Sequence, residues 1–299
     1  MNRTRLTPDQ RQQVIELKKT NSYSEVVKIT GLPLGTVRSI VRRSGQLADN
    51  PKHRALFTLP PIQHSNNTGL AIVDIPPQQA VTGDKEVDAM LWLREMIKTG
   101  KPEFIEKALL AAKKIKTPAK QLEDSYGNWL RKNNTGNFLA ALGAMGFADL
   151  GKLADITIKN KLLEAELKAR LGDDAECVTT EAEQFCFDAV GGLGALDDDR
   201  ESKAEALFNA YPEYLPHTLS DCVHELQYWN NLYLMRNAIS SHDDPCASIR
   251  EQFIQRLLAK IRPRSPSESK AVLKHLIETD ALNQSWFDTD EILENLLNL

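Results

Sequence analysis

The chain has 299 residues, of which 41% are hydrophobic and 26% charged, so it can bury a core and is not wholly disordered. Residues 1–60 contain 11 Lys and Arg against 4 Asp and Glu, whereas the remainder contains 26 against 37, and the net charge is −4. A basic segment before an acidic remainder is typical of a chain whose first part meets a polyanion. No segment resembles a signal peptide or membrane span, and four cysteines do not form a disulfide framework, so we expect a cytoplasmic protein without membrane contact.

The first 45 residues predict three short helices. Residues 7–10 (Thr-Pro-Asp-Gln) and 22–25 (Ser-Tyr-Ser-Glu) are capping boxes that open helices one and two. Helix one is expected to run to about Lys19, Gly31 to end helix two, and helix three to span about 34–43. The residues expected to face inward are Val26, Val27, Ile29, Leu32, Val37, Ile40 and Val41.

Residues 46–84 contain five prolines among Asn, Thr, Ser and Gln, and they predict a flexible linker. The domains expected from these patterns are 1–45, the linker 46–84, a helical domain 85–172 and a helical C-terminal domain 173–299. The fold class is therefore all-α, with a three-helix N-terminal domain, a Pro-rich linker and a larger helical body.

The sequence after residue 84 predicts helices almost throughout. Residues 137–147 are rich in Gly and Ala, and their sequence fits either a helix or a loop. The other expected helices are 85–99, 103–116, 119–132, 149–171, 181–190, 200–210, 218–240, 247–261, 267–278 and 288–298.

The third N-terminal helix has the composition of a DNA-reading helix. In a helix-turn-helix the third helix enters the major groove of DNA. There arginine forms two hydrogen bonds to guanine, and Ser or Thr can bind several base edges. Arg3 and Arg5 precede the first helix and suit a minor-groove arm, and Ser22 lies near phosphates. The positions expected to face DNA are Arg3, Arg5, Ser22, Leu34, Gly35, Thr36, Arg38, Ser39, Arg42 and Arg43.

The segment from Leu6 to Gly45 resembles the helix-turn-helix of resolvases, transposases and many bacterial and phage regulators, through Glu25, Gly31, Val37 and Ile40. The resemblance implies binding to double-stranded DNA, and it covers about 40 of the 299 residues. Pro33 departs from the pattern, because Ser or Thr often caps the third helix of such motifs.

No residue pattern indicates catalysis, a cofactor or a metal. Cys222 and His224 are two apart on a predicted helix and point in different directions, so they do not combine with His242 and Cys246 as a zinc site. Ser241-His242-Asp243 is consecutive in sequence, whereas a catalytic triad is assembled across a fold. We therefore expect a non-enzymatic protein.

The helix expected at 149–171 carries a 3-4-3-4 apolar spacing that fits either a coiled-coil seam or an ordinary amphipathic helix. As a seam it would join copies of the chain, and its residues are Leu153, Ile156, Asn160, Leu163 and Leu167. The amphipathic C-terminal tail, 286–299, either docks on the body or offers a protein partner a surface.

Two functions fit a helix-turn-helix joined to a helical assembly domain. The first is a transcription regulator, in which several heads bind spaced sites. The second is a small terminase subunit, because phage proteins of this class often join an N-terminal helix-turn-helix to an oligomerising helical body that recruits a packaging motor. The sequence favours the regulator only because regulators are commoner.

Overall fold

A computed structural model describes residues 6–44, 48–63, 75–135, 137, 139–193, 200–240, 244–283 and 289–297. Within these residues all regular structure is helical, without a β-strand, so the all-α expectation is confirmed there. No helix in these ranges is long and apolar enough to cross a membrane. The described α-helices are α1 (Pro8–Thr20), α2 (Tyr23–Thr30), α3 (Leu34–Ser44), α4 (Pro51–Leu56), α5 (Lys85–Lys98), α6 (Pro102–Ala112), α7 (Ala119–Asn133), α8 (Leu150–Leu171), α9 (Glu181–Val190), α10 (Arg200–Asn209), α11 (Leu219–Ala238), α12 (Pro245–Lys260), α13 (Pro266–Glu278) and α14 (Thr289–Leu297).

The chain forms two compact units. The discontinuous unit consists of residues 1–61 together with 174–299, and the inserted unit consists of residues 62–173. We call α1–α3 the head, and α4 with α9–α14 the body, of the discontinuous unit. The segment 137–147, for which the sequence fits either a helix or a loop, contains a short 3₁₀ helix at Ala140–Ala144.

In the inserted unit, α5 packs against α6, α7 and α8. Side chains such as Val87, Leu93, Ile97 and Leu150 form its buried apolar cluster. The chain before α5 is held to that helix, because Trp92 Nε1 donates to the carbonyl of Pro76 at 2.6 Å. This part of the predicted flexible linker is therefore docked.

The predicted linker also contains α4, so its description as flexible is wrong for residues 50–57. Asn50 caps the helix, since its side-chain oxygen accepts from the amides of Lys52 and His53, and Pro51 occupies the first turn. His53 and Phe57 are fully buried in the discontinuous unit. Prolines that indicated a loop therefore include one that begins a helix.

The residues of the predicted seam on α8 are not all exposed. Leu153 packs against the apolar cluster of the inserted unit, where α8 contacts α5 and α6. Leu167 is fully buried. The large apolar side chains of α8 that are exposed are Ile156, Ile158 and Leu162. Ile158 and Leu162 are one turn apart and share a face.

The C-terminal helix α14 packs on its own unit. Ile292 and Leu296 are buried in the apolar cluster of the body, and Asn295 Nδ2 donates to the carbonyls of Leu258 and Ile261. Of the two alternatives for the tail, the described part of it therefore docks internally. Trp286 and Phe287 lie outside the described residues.

The body is built around α11, which contacts α4, α12 and α13. Glu225, on α11, is fully buried and accepts hydrogen bonds from Arg250 Nε at 2.7 Å and from Trp229 Nε1 at 3.1 Å. Its second oxygen lies 2.6 Å from His53 Nε2. Burial opposes the charged carboxylate, but Arg250 and the bond from His53 outweigh it and lower the pKa of Glu225. The carboxylate is therefore ionised at neutral pH.

Arg250 is buried among four aromatic rings. Its guanidinium carbon lies 4.9 to 5.6 Å from the ring centres of Phe57, Phe185, Phe208 and Phe253. Its Nη1 has no hydrogen-bond partner among the described residues, so ring faces and Glu225 compensate the buried cation.

Replacing Glu225 with Gln should destabilise the discontinuous unit by about 3–5 kcal/mol, because it leaves the Arg250 cation buried without its counter-charge. Urea unfolding followed by circular dichroism measures the change. The matched control is Glu205→Gln, which breaks the surface pair with Lys260 and should cost no more than about 1 kcal/mol. An equal, small effect of both variants would contradict this account of the core.

Candidate nucleic-acid interface

The head is assembled by local sequence signals. Thr7 caps α1, and Ser22 caps α2 by accepting from the amide of Glu25 at 3.2 Å. The carboxylate of Glu25 accepts in return from the amide of Ser22 at 2.6 Å. The Ser22 side chain, predicted to lie near DNA phosphates, is therefore already engaged in the capping box.

The turn between α2 and α3 depends on Gly31, which has φ +67° and closes α2 by donating to the carbonyl of Val27. Pro33 lacks a side-chain oxygen, but its carbonyl accepts from the amides of Thr36 and Val37 at 2.8 and 3.1 Å. The amides of Leu34 and Gly35 have no acceptor within the described part of the chain. These two amides are consequently open to an external acceptor.

The three helices enclose a small core. Val14, Val26, Val37 and Val41 are buried in it, and Leu17, Tyr23, Val27, Leu32 and Ile40 pack against it. Ile29 was expected to face inward but is 55% exposed, so that expectation is wrong. Helix α2 instead contacts the core through Val26, which is buried, and Val27, which packs against it.

The outer face of α3 carries exposed cations. Arg38 and Arg42 are exposed and one turn apart, and Arg43 is exposed beside them. Leu34, 40% exposed, lies one turn before Arg38, and Gly35 is exposed as well. Thr36 and Ser39 are half-buried at the edges of this face. The side opposite the Val37 and Val41 core thus forms a continuous surface with three guanidinium groups.

Arg38 is held against the head by Tyr23. Its guanidinium carbon lies 5.7 Å from the centre of the Tyr23 ring, and Lys18 Nζ lies 5.0 Å from the same ring. Burial raises the pKa of Tyr23, so the hydroxyl is neutral at physiological pH. The aromatic ring therefore orients two cations of the head without neutralising either of them.

Arg3 and Arg5, predicted as a minor-groove arm, lie outside the described residues, as does Gly45. Of the other predicted contact residues, the structure brings Leu34 to Arg43 together on α3 and places Ser22 in the cap of α2.

The residues considered for zinc have separate surroundings. Cys222 is buried in the apolar cluster of the body, where burial raises the pKa of its thiol. His224 Nε2 lies 3.2 Å from the carbonyl of Arg54 and from the Thr58 hydroxyl. Among the described residues no three His, Cys, Asp or Glu side chains are grouped as a metal would require. His242, with its neighbours 241 and 243, lies outside those residues.

Sequence reasoning missed the polar network that binds α4 to α11. The amide of Asn50 donates to Asp221 Oδ2 at 2.9 Å, and Arg54 Nε donates to Asp221 Oδ1 at 2.7 Å. The signal available in the sequence was Asn50-Pro51, a capping residue followed by a first-turn proline. The network fixes the residues that follow the head.

Comparisons with protein-family models, with curated proteins and with solved structures give no significant match to this chain.

Gly31→Ala should loosen the head, because an alanine at φ +67° costs about 1 kcal/mol of strain. Gly35→Ala is the matched control: Gly35 lies inside α3 with nothing within 4 Å of an added Cβ, and alanine favours a helix there. Hydrogen exchange should be faster in α2 and α3 of the first variant and unchanged or slower in the second. Equal exchange in both variants would show that the turn does not need glycine.

Proposed function

We propose that the protein is a non-enzymatic transcription regulator, in which the head is a helix-turn-helix that binds double-stranded DNA. The observation that carries this proposal is the outer face of α3, where Arg38, Arg42 and Arg43 are exposed opposite the Val37 and Val41 core. No ion pair joins these arginines to an acidic side chain in the described part of the chain. Phosphates and guanine edges are the acceptors that such guanidinium groups bind.

The arrangement of α3 supports distinct roles for its residues. Arg38 and Ser39, in the first half of the helix, suit base edges, whereas Arg42 and Arg43 near its C-terminal end suit the phosphate backbone. The open amides of Leu34 and Gly35 lie at the helix N-terminus, where a phosphate is favoured. Leu34 can contact a thymine methyl group.

A single helix-turn-helix reads few base pairs, and regulators of this type generally act as oligomers. The inserted unit offers an exposed apolar pair, Ile158 and Leu162, of which Leu162 is 68% exposed. We place the contact between copies there, in preference to the 153–167 seam, because the seam is partly buried. A small dimeric or tetrameric assembly fits a regulator, whereas a ring of about eight to twelve copies would favour the small terminase alternative.

Arg38→Ala and Arg42→Ala should each weaken duplex binding. Loss of a base contact by Arg38 should cost about 1–3 kcal/mol on a selected site, and loss of a phosphate contact by Arg42 should reduce the salt slope by about one. Fluorescence anisotropy with a duplex selected from a random library, titrated at several salt concentrations, measures both quantities.

The control for these variants is Lys270→Ala, which removes the same charge from an exposed position on α13 of the body. It should leave affinity and salt slope unchanged. The DNA-binding proposal fails if the α3 variants behave like this control.

Ile158→Glu combined with Leu162→Glu should shift the protein to monomers, because charged carboxylates cannot be buried in an apolar contact. Analytical ultracentrifugation and native mass spectrometry measure the assembly. Lys159→Glu, at an exposed position between them, is the control and should preserve it. Assembly that survives the double substitution would exclude this face.

A further inference from the structure

A cleft of about 730 Å³ separates the head from the body within the discontinuous unit. Ile15 and Val41 line it from the head, and Phe253, Leu257 and Ile261 line it from α12 and the residue that follows. Its volume lies in the range of small-molecule sites, which are mostly apolar concavities with a few placed polar groups. Neither the DNA-facing side of α3 nor the α8 face contributes to it.

The charged residues of the cleft are all cationic. Lys18, Lys260, Arg262 and Arg264 line it, and no aspartate or glutamate occurs among its described lining residues. Lys260 is paired with Glu205, and Arg264 with Asp49 and Glu268. Two of the four cations therefore have acids outside the cleft as partners.

Lys18 and Arg262 differ from the other two cations. Lys18 Nζ donates to the carbonyl of Asn21 at 3.0 Å, and neither side chain forms an ion pair within the described part of the chain. Burial and the nearby charge of Arg262 lower the pKa of Lys18. Glu25, which acts electrostatically on both Lys18 and Arg262, does not line the cleft and is engaged with the amide of Ser22.

Two half-buried cations from opposite walls, above an apolar floor, are complementary to one kind of ligand. We propose that the cleft between head and body binds a small amphipathic organic anion, whose carboxylate or sulfonate lies between Lys18 and Arg262 and whose apolar part contacts Phe253 and Leu257. A nucleic-acid strand fits the cleft less well, because most of the lining is apolar and offers phosphates few partners.

Such a ligand would touch the C-terminal end of α3 through Val41 and Ser44 and the body through α12. Because both walls carry part of the site, occupancy would favour one position of the head over others. This consequence for DNA binding rests on the proposed function, whereas the ligand site itself does not.

The test uses anilinonaphthalene sulfonate as the anionic probe and phenylnaphthylamine, which lacks the sulfonate, as the neutral probe. Titration calorimetry on the full chain without DNA should give one saturable site for the anion. Lys18→Gln combined with Arg262→Gln should weaken it about tenfold, by loss of two charge-assisted contacts. Lys28→Gln removes a charge from an exposed position of α2 outside the cleft, and it should leave the affinity unchanged.

The proposal is overturned if the double variant binds the anion as tightly as the native protein, if the neutral probe binds equally well, or if no saturable site exists. Circular dichroism verifies that the variants are folded. A parallel DNA titration, with and without the anion, separates the two proposals: anion binding without any DNA binding would leave the cleft in place and refute only the regulator.

Discussion

The buried guanidinium of Arg250 is the group around which the body is organised. Burying a charge away from water costs free energy unless a counter-charge and hydrogen bonds compensate it. For Arg250 these compensating groups come from distant parts of the chain. Glu225 supplies the counter-charge from α11, and aromatic rings come from α9, α10 and α12 and from Phe57 just after α4. His53 completes the environment of Glu225. The compensation of this buried charge therefore brings together five segments, which are α4 with Phe57, α9, α10, α11 and α12.

The head follows a different principle. Its caps, its glycine turn and its four buried valines all involve residues less than 30 positions apart. Because its stability comes from local contacts, its outer face is free to carry exposed arginines. The body, by contrast, uses its arginine inside the core. The same residue type is therefore exposed on the surface of one part and buried in the core of the other.

This difference determines what the sequence reveals. Helix positions in the head and body are predictable from capping residues and apolar spacing, as at Thr7 and Ser22, whose boxes form as expected. The exposed face of α3 is predictable for the same reason. The pairing of His53 with Glu225 spans 172 positions, and no local pattern encodes it.

The sequence left two other features undetermined. Proline-rich composition concealed α4, because a first-turn proline and a loop proline look alike in isolation. The burial of Leu167 depends on what α8 packs against, so its spacing alone could not separate a seam between copies from an internal contact. The cleft requires the head and the body to be placed together, which only the tertiary structure provides.

The division of the discontinuous unit into residues 1–61 and 174–299 has a consequence for how the chain is made. Synthesis proceeds from the N-terminus, so α4 leaves the ribosome long before α11 and α12 exist. During that interval the side chains of His53 and Phe57 have no native partner. The head and the inserted unit can already fold. The native core of the body can therefore form only after α11 and α12 have been synthesised, and until then α4 lacks the partners that bury it.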